Sequence, residues 1–176
     1  MNKLTVTESF KQKLARLPQS SSVGDLHYLG VDLPHYEGLP IVAIVGTRKP
    51  TPYGIAQTMK LAEELARAGV VIVSGLALGI DCIAHDAALR ANGKTIAISP
   101  AGLSKIYPAT NRLTGEKIIA SGTIISEYSP DLMTRKVEFL ERNRIIAALS
   151  DVVIIPEAAV GSGSLNTANH AKKMDI

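Results

Sequence analysis

Residues 41–53 read IVAIVGTRKPTPY, and this stretch decides how the rest of the chain is interpreted. Its first five residues are apolar, which is typical of a strand that is buried on both faces in a parallel sheet. Gly46 ends the apolar run, and Thr47, Arg48 and a proline-rich turn follow before a helix opens near Gly54. The loop after such a strand faces the crevice in which open α/β sheets bind ligands. We therefore expect Arg48 to face an anionic ligand in that crevice.

From residue 41 onward, the pattern of strand, loop and helix repeats along the chain. Buried strands that alternate with amphipathic helices predict βαβ units and right-handed crossovers. The sequence therefore predicts an α/β protein with a three-layer Rossmann-like fold and a mostly parallel sheet. The expected strands are 41–46, 70–74, 95–99, 123–126 and 152–155, and the expected helices are 54–67, 81–92, 112–120, 139–149 and 165–173.

The first 39 residues have a different pattern. Apolar residues at positions 10, 14 and 17 have helical spacing, which predicts a short helix before Pro18. Turn-forming residues follow, so we expect residues 1–39 to form an N-terminal helix and strap that covers the sheet. Residues 40–176 are then the Rossmann-like core, and its last strand is expected to be missing because a further strand would follow residue 176.

The composition excludes several classes of protein. Apolar residues make up 46% of the 176 residues, which is too many for a disordered chain. The net charge of +3 permits a phosphate or nucleic-acid partner without requiring one. The single cysteine, Cys82, fits a reducing compartment. Neither a secretory signal nor a long apolar run is found, so we expect a cytoplasmic location and no membrane span.

The loop after the first strand bears on the choice of ligand. Thr51 and Pro52 suit the N-cap and first position of a helix, whose N–H groups would be free to bind an anion. The dinucleotide-binding pattern GxGxxG is absent from this loop, which disfavours NAD. We expect no cofactor.

The loop after the second strand starts at Ser74 and contains Gly75, which lets a ligand approach the backbone closely. Asp81 and His85 follow, four residues apart on one helix face. They fit either an acid/base or metal-ligand pair, or a structural pair in which Asp81 caps the helix and His85 binds a local carbonyl. The structural interpretation is favoured because no third residue has the spacing of a metal ligand, and no metal is expected.

Two other side chains have alternative interpretations. Tyr107, after the third strand, either stacks on a base or packs its loop against the sheet. Arg142 falls between apolar positions of a helix, so it must pair with a carboxylate or point into the crevice. Glu127 and Glu157 each lie near a strand end and are the expected partners of Arg142.

A Gly/Ser turn at residues 161–164 opens the last helix. Its form is that of a phosphate-binding nest, in which backbone N–H groups at a helix N-terminus surround an anion. The signal is weak by itself, because serine caps and glycine turns are common.

Six stretches resemble, in order, the DprA/Smf DNA-processing family: VAIVGTRKPTPYG, VIVSGLALGIDCIAH, IYPATN, ISEY, FLERNRIIAALS and EAAVGSGSLNTA. The resemblance implies an extended Rossmann-like fold that binds single-stranded DNA. It further implies a role in natural transformation, in which the protein protects incoming DNA and helps to load the RecA recombinase, and it implies a possible homodimer. No catalytic activity is implied.

By this resemblance, Arg48 contacts phosphate, Lys136 and Phe139 match the basic and aromatic positions of a strand-binding pocket, and Arg142 and Asn143 lie beside them. An arginine, a lysine and an aromatic ring together suit base-tolerant binding of a single strand. The full set of expected DNA- or phosphate-binding residues is Gly46, Thr47, Arg48, Tyr53, Gly54, Ser74, Gly75, Lys136, Phe139, Arg142, Asn143, Gly161, Ser162, Gly163 and Ser164.

The alternative is a nucleotide-processing enzyme on a related Rossmann fold, similar to the nucleoside-monophosphate phosphoribohydrolases. In that case Glu127 or Glu157 would stabilise a sugar cation. That group carries a PGGxGTxxE segment, whereas the corresponding residues 156–168 read PEAAVGSGSLNTA and have no glutamate after the turn.

Overall fold

A computed structural model describes residues 2–3, 6–132 and 134–176. In these residues one sheet contains β1 (Asn2–Lys3), β2 (His27–Gly30), β3 (Ile41–Ile44), β4 (Val71–Ser74), β5 (Thr95–Ile98), β6 (Thr123–Ser126) and β7 (Val152–Ile154). The α-helices are α1 (Glu8–Leu14), α2 (Pro52–Arg67), α3 (Ile80–Arg90), α4 (Arg112–Ser121), α5 (Lys136–Leu149) and α6 (Gly163–Lys173). Short 3-10 helices lie at Gln19–Ser21, Leu33–Tyr36 and Ala109–Asn111.

The order of strands in the sheet is β1-β2-β6-β5-β4-β3-β7. Strands β3 to β7 are parallel to their neighbours among themselves, whereas β2 is antiparallel to both β1 and β6. The predicted α/β class with a mostly parallel sheet is confirmed, and each of the five predicted strands is present. The helices α5 and α6 begin earlier than predicted, at residues 136 and 163.

The N-terminal region differs from its prediction. The expected helix is present as α1, but residues 27–30 extend the sheet as β2 instead of covering it, with His27 opposite Ser126 and Gly30 opposite Thr123. The strand reads HYLG, which is neither an apolar run nor a clear alternation of apolar and polar residues, so the sequence pattern does not reveal it. Residues 1, 4 and 5 of the predicted strap lie outside the described residues.

The strand β3 is buried on both faces, as the opening stretch predicts. Ile41, Ala43 and Val45 pack in the cluster that includes residues of α1 and α5, whereas Val42 and Ile44 pack in the cluster with α2 and α3. Burying such side chains fully contributes about 1.5–3 kcal/mol for each valine or isoleucine. The core therefore fixes β3 in the middle of three layers.

The β3 strand also marks the point at which the chain reverses its direction of travel across the sheet. The chain runs from β3 through β4 and β5 to β6 on one side, and the next crossover returns it to β7 on the other side of β3. Open α/β sheets bind ligands at such a point, outside the carboxyl ends of the strands. A ligand-binding site is therefore expected at the loops after β3 and β7.

Asp151, which precedes β7, fastens the N-terminal helix to the core. Its carboxylate accepts hydrogen bonds from the Ile41 N–H, at 2.9 Å, and from Lys13 Nζ. Partial burial raises the pKa of Asp151, but the bonds from Lys13 and Ile41 outweigh it and hold that pKa below its ordinary value.

We expect Asp151→Ala to lower the free energy of unfolding by about 1 kcal/mol at pH 7, a value kept small because the carboxylate is partly exposed to screening solvent. A carboxyl whose pKa is lower in the folded state stabilises the fold above its unfolded pKa, and this stabilisation is lost as the pH falls through the folded pKa. Urea titrations should therefore show the two proteins converging below about pH 4. A difference that is constant from pH 7 to pH 3 would contradict this assignment.

Candidate functional site

A cavity of about 1150 Å³ opens at the reversal point of the sheet. It is formed by the β3–α2 loop, the start of α5 and the turn that opens α6, with smaller contributions from the loops after β4 and β5. Of the expected site residues, those that line it are Gly46, Thr47, Arg48, Lys136, Phe139, Arg142, Asn143, Gly161, Ser162, Gly163 and Ser164.

An arginine and two aromatic rings meet on one wall of the cavity. The guanidinium carbon of Arg48 lies 4.9 Å from the centroid of the Phe139 ring. The ring of Tyr107 meets Phe139 edge to face, with 5.7 Å between centroids, and is 41% exposed. A cation over a ring face holds the long Arg48 side chain in place while leaving its donors available. Tyr107 thus lines the cavity against Phe139, and its stacking on a base stays a prediction.

The charge of the cavity lining is mostly positive. Its lining includes Arg48, Lys49, Arg135, Lys136 and Arg142 and a single carboxylate, that of Asp81. Arg135 is partly neutralised because its guanidinium binds Glu138 at 2.8 Å. Walls of one charge sign raise the local concentration of ligands of the opposite sign, so the site favours anions.

The N-terminus of α6 closes the opposite wall. Gly161 adopts a positive φ of 73°, which turns the chain into the helix, and the hydroxyls of Ser162 and Ser164 lie 2.8 Å apart. Asn143 donates from Nδ2 to the Gly163 carbonyl at 3.0 Å, which ties this turn to α5. A helix N-terminus with small residues beside cationic side chains suits a phosphate group.

Two buried ionisable side chains, Asp81 and Arg142, lie at the floor of the cavity. Asp81 accepts hydrogen bonds from the N–H groups of Gly75, at 3.1 Å, and Gly46, at 3.4 Å. Burial raises the pKa of Asp81, and the charge of Arg142 together with these N–H groups opposes that rise. Arg142 is 3% exposed, and burial lowers its pKa to about 10 although Asp81 favours its charged form. Its Nη1 donates to the Ile98 carbonyl at the end of β5.

The predicted partners of Arg142 are wrong. Glu127 pairs with Arg144 at 2.6 Å, and both side chains are nearly buried. Glu157 instead binds Thr51, at 2.9 Å from both the backbone nitrogen and the hydroxyl. The charge that faces Arg142 belongs to Asp81, on a different helix, and only the packing of α3 against the sheet could bring the two together.

Asp81 and His85 each bind groups of the protein itself and not one another. His85 is fully buried, and its Nδ1 lies 2.7 Å from the Thr95 hydroxyl, which itself donates to the Ile72 carbonyl. Nδ1 is therefore the donor in that bond, and burial together with Arg142 lowers the His85 pKa to about 3. The described residues contain no group of three or more His, Cys, Asp or Glu side chains that could hold a metal ion. The expected bonds differ in detail, since Asp81 binds loop N–H groups and His85 binds a hydroxyl.

Four of the expected site residues lie outside the cavity lining. Tyr53 is 67% exposed on the first turn of α2. Ser74 is buried and donates to the Ile44 carbonyl at 2.6 Å. A Cβ at Gly75 would lie 2.0 Å from Arg142 Nη1, and one at Gly54 would lie 1.9 Å from Glu157 Oε2. The groups that approach these two glycines closely are therefore side chains of the protein itself.

The N-terminus of α2 also differs from its prediction. Thr51 is the N-cap, accepting a bond from the Gly54 N–H at 3.2 Å, and Pro52 begins the helix, as predicted. The Thr51 N–H, however, is bound by the Glu157 carboxylate and is not free for an external anion. The N-terminus of α2 is therefore already approached by a carboxylate of the protein itself.

Several lining residues were not in the predicted set, among them Lys49, Asn166 and Asn169. Lys49 follows Arg48 directly, so its position in the same loop was a usable signal. Asn166 and Asn169 are three residues apart, which places them on one face of α6. Polar side chains at that spacing after a Gly/Ser turn could have indicated the cavity wall.

The fold and the cavity define a class of protein: a Rossmann-like protein with a cationic, partly aromatic crevice at the carboxyl edge of its sheet. The chain belongs to the DNA recombination-mediator protein A family, whose sequence profile matches residues 5–176. Protein Smf of Synechocystis is 47% identical over 153 residues, which are 85% of this chain and 38% of that protein. The chain spans less than half the length of the curated DprA and Smf relatives that it matches.

Solved structures of the family superpose closely. DNA processing protein A from Helicobacter pylori, described for its unique single-stranded DNA binding mode, has a TM-score of 0.88 and 43% identity over 99% of this chain and 77% of its own. DprA from Streptococcus pneumoniae has a TM-score of 0.87 and 36% identity over 98% of this chain and 59% of its own. The Rossmann-like fold and the DprA/Smf resemblance are therefore confirmed. Among the helices of the described ranges, none is long and apolar enough to cross a membrane.

Proposed function

We propose that this chain binds single-stranded DNA in the cavity and acts as a DNA-processing protein rather than as an enzyme. The observation that carries the proposal is the Arg48 guanidinium held 4.9 Å over the Phe139 ring at the cavity wall, with exposed Lys136 on the same helix as Phe139. A cation for phosphate beside a ring for bases is the combination that binds single strands with little sequence preference.

The two walls would take different parts of the strand. Arg48 offers a bidentate phosphate contact, Lys136 adds charge, and the α6 turn at 161–164 adds backbone N–H groups. The rings of Phe139 and Tyr107 offer apolar surface to unstacked bases, which a duplex does not expose. The cavity therefore favours a single strand over a duplex.

Relatives in the family suggest roles for this chain beyond the binding of single-stranded DNA. The H. pylori relative binds single-stranded DNA, and its sequence is 43% identical. By analogy we place this chain in the cytoplasm, in natural transformation, where it would protect incoming DNA and help to load the RecA recombinase, and where it could form a homodimer. These roles are tested by protection of labelled single strands from nuclease and by RecA filament assembly on them.

The nucleotide-hydrolysing alternative needs a carboxylate beside the sugar. Glu127 is paired with Arg144, Glu157 is bound to Thr51, and neither lines the cavity. Asp81 does line it, but its carboxylate is engaged by loop N–H groups. These contacts favour binding over hydrolysis. Release of free base from AMP, CMP or GMP on overnight incubation would favour the enzyme instead.

We expect fluorescence anisotropy with a labelled oligo-dT to show binding that weakens with salt, with a slope of log affinity against log salt near −0.7 for each phosphate contact. Lys136→Ala should make this slope less steep by about 0.7, because one contact is lost. The matched control is Lys60→Ala, an exposed lysine of α2 outside the cavity, which should leave the slope unchanged. Tighter binding of a duplex than of oligo-dT, or equal slopes in all three proteins, would contradict the proposal.

A further inference from the structure

Glu157 fastens both ends of the loop that presents Arg48. Its backbone carbonyl accepts a hydrogen bond from the Thr47 N–H at 2.9 Å. Its carboxylate accepts bonds from the Thr51 N–H and the Thr51 hydroxyl, each at 2.9 Å to Oε2. Arg48 therefore lies on a short segment that is held on either side by one residue of the loop after β7.

The glycines around Glu157 leave the space that this arrangement needs. A Cβ at Gly54 would lie 1.9 Å from Oε2 of Glu157, and one at Gly46 would lie 2.7 Å from its carbonyl oxygen. The close fit places the carboxylate against the first turn of α2, where the partial positive charge of the helix favours it. Glu157 thus occupies a helix N-terminus that would otherwise attract an external anion.

We infer that Glu157 is a positioning residue for DNA binding, which fixes the 47–51 loop so that Arg48 stays over Phe139 and faces the cavity. The inference rests on the proposed binding of single-stranded DNA. It adds a role for an acidic residue that does not itself line the cavity and contacts no phosphate. A second consequence is that the Glu157 carboxylate, and not an external anion, occupies the α2 N-terminus.

Simple electrostatics predicts the opposite effect of removing this residue. A carboxylate about 10 Å from a phosphate repels it, so its loss should strengthen DNA binding by at most about twofold, and by less as salt screens the charges. If Glu157 positions Arg48, its loss should instead weaken binding, because the loop gains freedom that binding must then remove. The sign of the change separates the two explanations.

Three variants make the test specific. Glu157→Ala removes both the charge and the side-chain bonds to Thr51, and we expect affinity for oligo-dT to fall on the order of tenfold. Glu157→Gln keeps an oxygen that can accept from Thr51, so it should restore most of the lost affinity. Gly54→Ala keeps the charge but displaces the carboxylate from Thr51, and it should weaken binding as Glu157→Ala does. Glu64→Ala, an exposed glutamate of α2, is the control.

The coupling to Arg48 provides a readout that a general loss of stability would not change. In an Arg48→Ala background, Glu157→Ala should cause no further loss of affinity, because the side chain that it positions is gone. Melting temperatures measured in parallel identify any variant that has failed to fold. The effect of Glu157→Ala with and without Arg48→Ala is then compared among the variants that do fold.

The possible results separate the inference from the proposal beneath it. If the unmodified chain does not bind oligo-dT, the proposed function fails and the inference fails with it. If the chain binds and Arg48→Ala weakens binding, but Glu157→Ala and Glu157→Gln both strengthen it, only the inference is overturned. Additive losses from Glu157→Ala and Arg48→Ala would also overturn it.

Discussion

Replacing Arg142 with alanine is expected to lower the free energy of unfolding by about 2–5 kcal/mol, because the change empties the space of a large buried side chain and removes its hydrogen bond to the Ile98 carbonyl. Arg142 is 3% exposed and Asp81 is 6% exposed, so water does not replace the lost charge. The substitution also leaves a cavity beside Gly75, against which the guanidinium packs. This loss is a large part of the 5–15 kcal/mol that stabilises a typical domain.

The loss should depend on pH, since Arg142 is one of the groups that oppose the rise in the Asp81 pKa. Without Arg142, that pKa rises further above its unfolded value. A carboxyl with a raised pKa in the folded state destabilises the fold above its unfolded pKa, near 4, and this cost disappears as the pH falls through that value. The difference between the two proteins should therefore be largest near pH 7 and should narrow towards pH 4.

Urea denaturation at several pH values measures both effects. Arg67→Ala is the control, because Arg67 lies on the exposed surface of α2 and such changes usually stay within about 0.5 kcal/mol. Arg142→Lys keeps a charge but not the planar group that lies against Gly75, so its stability should be intermediate. A loss below about 1 kcal/mol in Arg142→Ala would mean that the buried guanidinium does not hold the cavity floor together.

The parallel sheet was predictable because its signals are local. The run IVAIV at 41–45 is apolar on both faces, and the structure places alternate residues of it in two different core clusters. The N-cap at Thr51 followed by Pro52 was equally readable, since it depends on neighbouring residues alone. The strand β2 was missed because its place in the sheet depends on pairing with β6, almost one hundred residues away.

The site was predictable to the extent that its residues follow strand ends. Arg48 and the 161–164 turn lie on loops at one edge of the sheet, so both were expected in one crevice and both line it. The partner of Arg142 was not predictable, because Glu127 and Glu157 lie near strand ends and were expected to face it, whereas nothing in the sequence indicates that Asp81 would face inward. The pairing follows from how α3 and α5 pack around the end of the sheet, which no local pattern reports.

The roles of Gly54 and Gly75 illustrate the same limit. A glycine in a loop at a strand end predicts close approach of some group, and both loops do contain such an approach. The sequence does not indicate whether that group is a ligand or a side chain. Here it is the Glu157 carboxylate at Gly54 and the Arg142 guanidinium at Gly75. These glycines therefore make room for side chains of the protein and do not line the cavity themselves.

Replacing Phe139 with alanine is expected to weaken binding of oligo-dT by about 10–100-fold at low salt, since stacking on an aromatic ring contributes roughly 1–3 kcal/mol per base. Phe139 has a second role, because the Arg48 guanidinium lies over its ring face. Its loss therefore removes a base platform and releases the cation that we assign to phosphate. Arg48→Ala should cause a loss of similar size and should reduce the salt slope by about 0.7, whereas Phe139→Ala should change the slope less.

The double variant tests whether the two side chains act together. Because Arg48 and Phe139 are in contact, their effects should not add, and the double variant should lose less affinity than the sum of the two single losses. Val137→Ala, an exposed position of the same helix outside the cavity lining, is the matched control and should bind as the unmodified chain does. Strict additivity would mean that the contact over the ring does not organise binding, and unchanged affinity in both single variants would remove this wall from the DNA-binding site. The salt slope then distinguishes the two parts of the wall, because only the arginine contributes to counterion release while the ring contributes at every salt concentration.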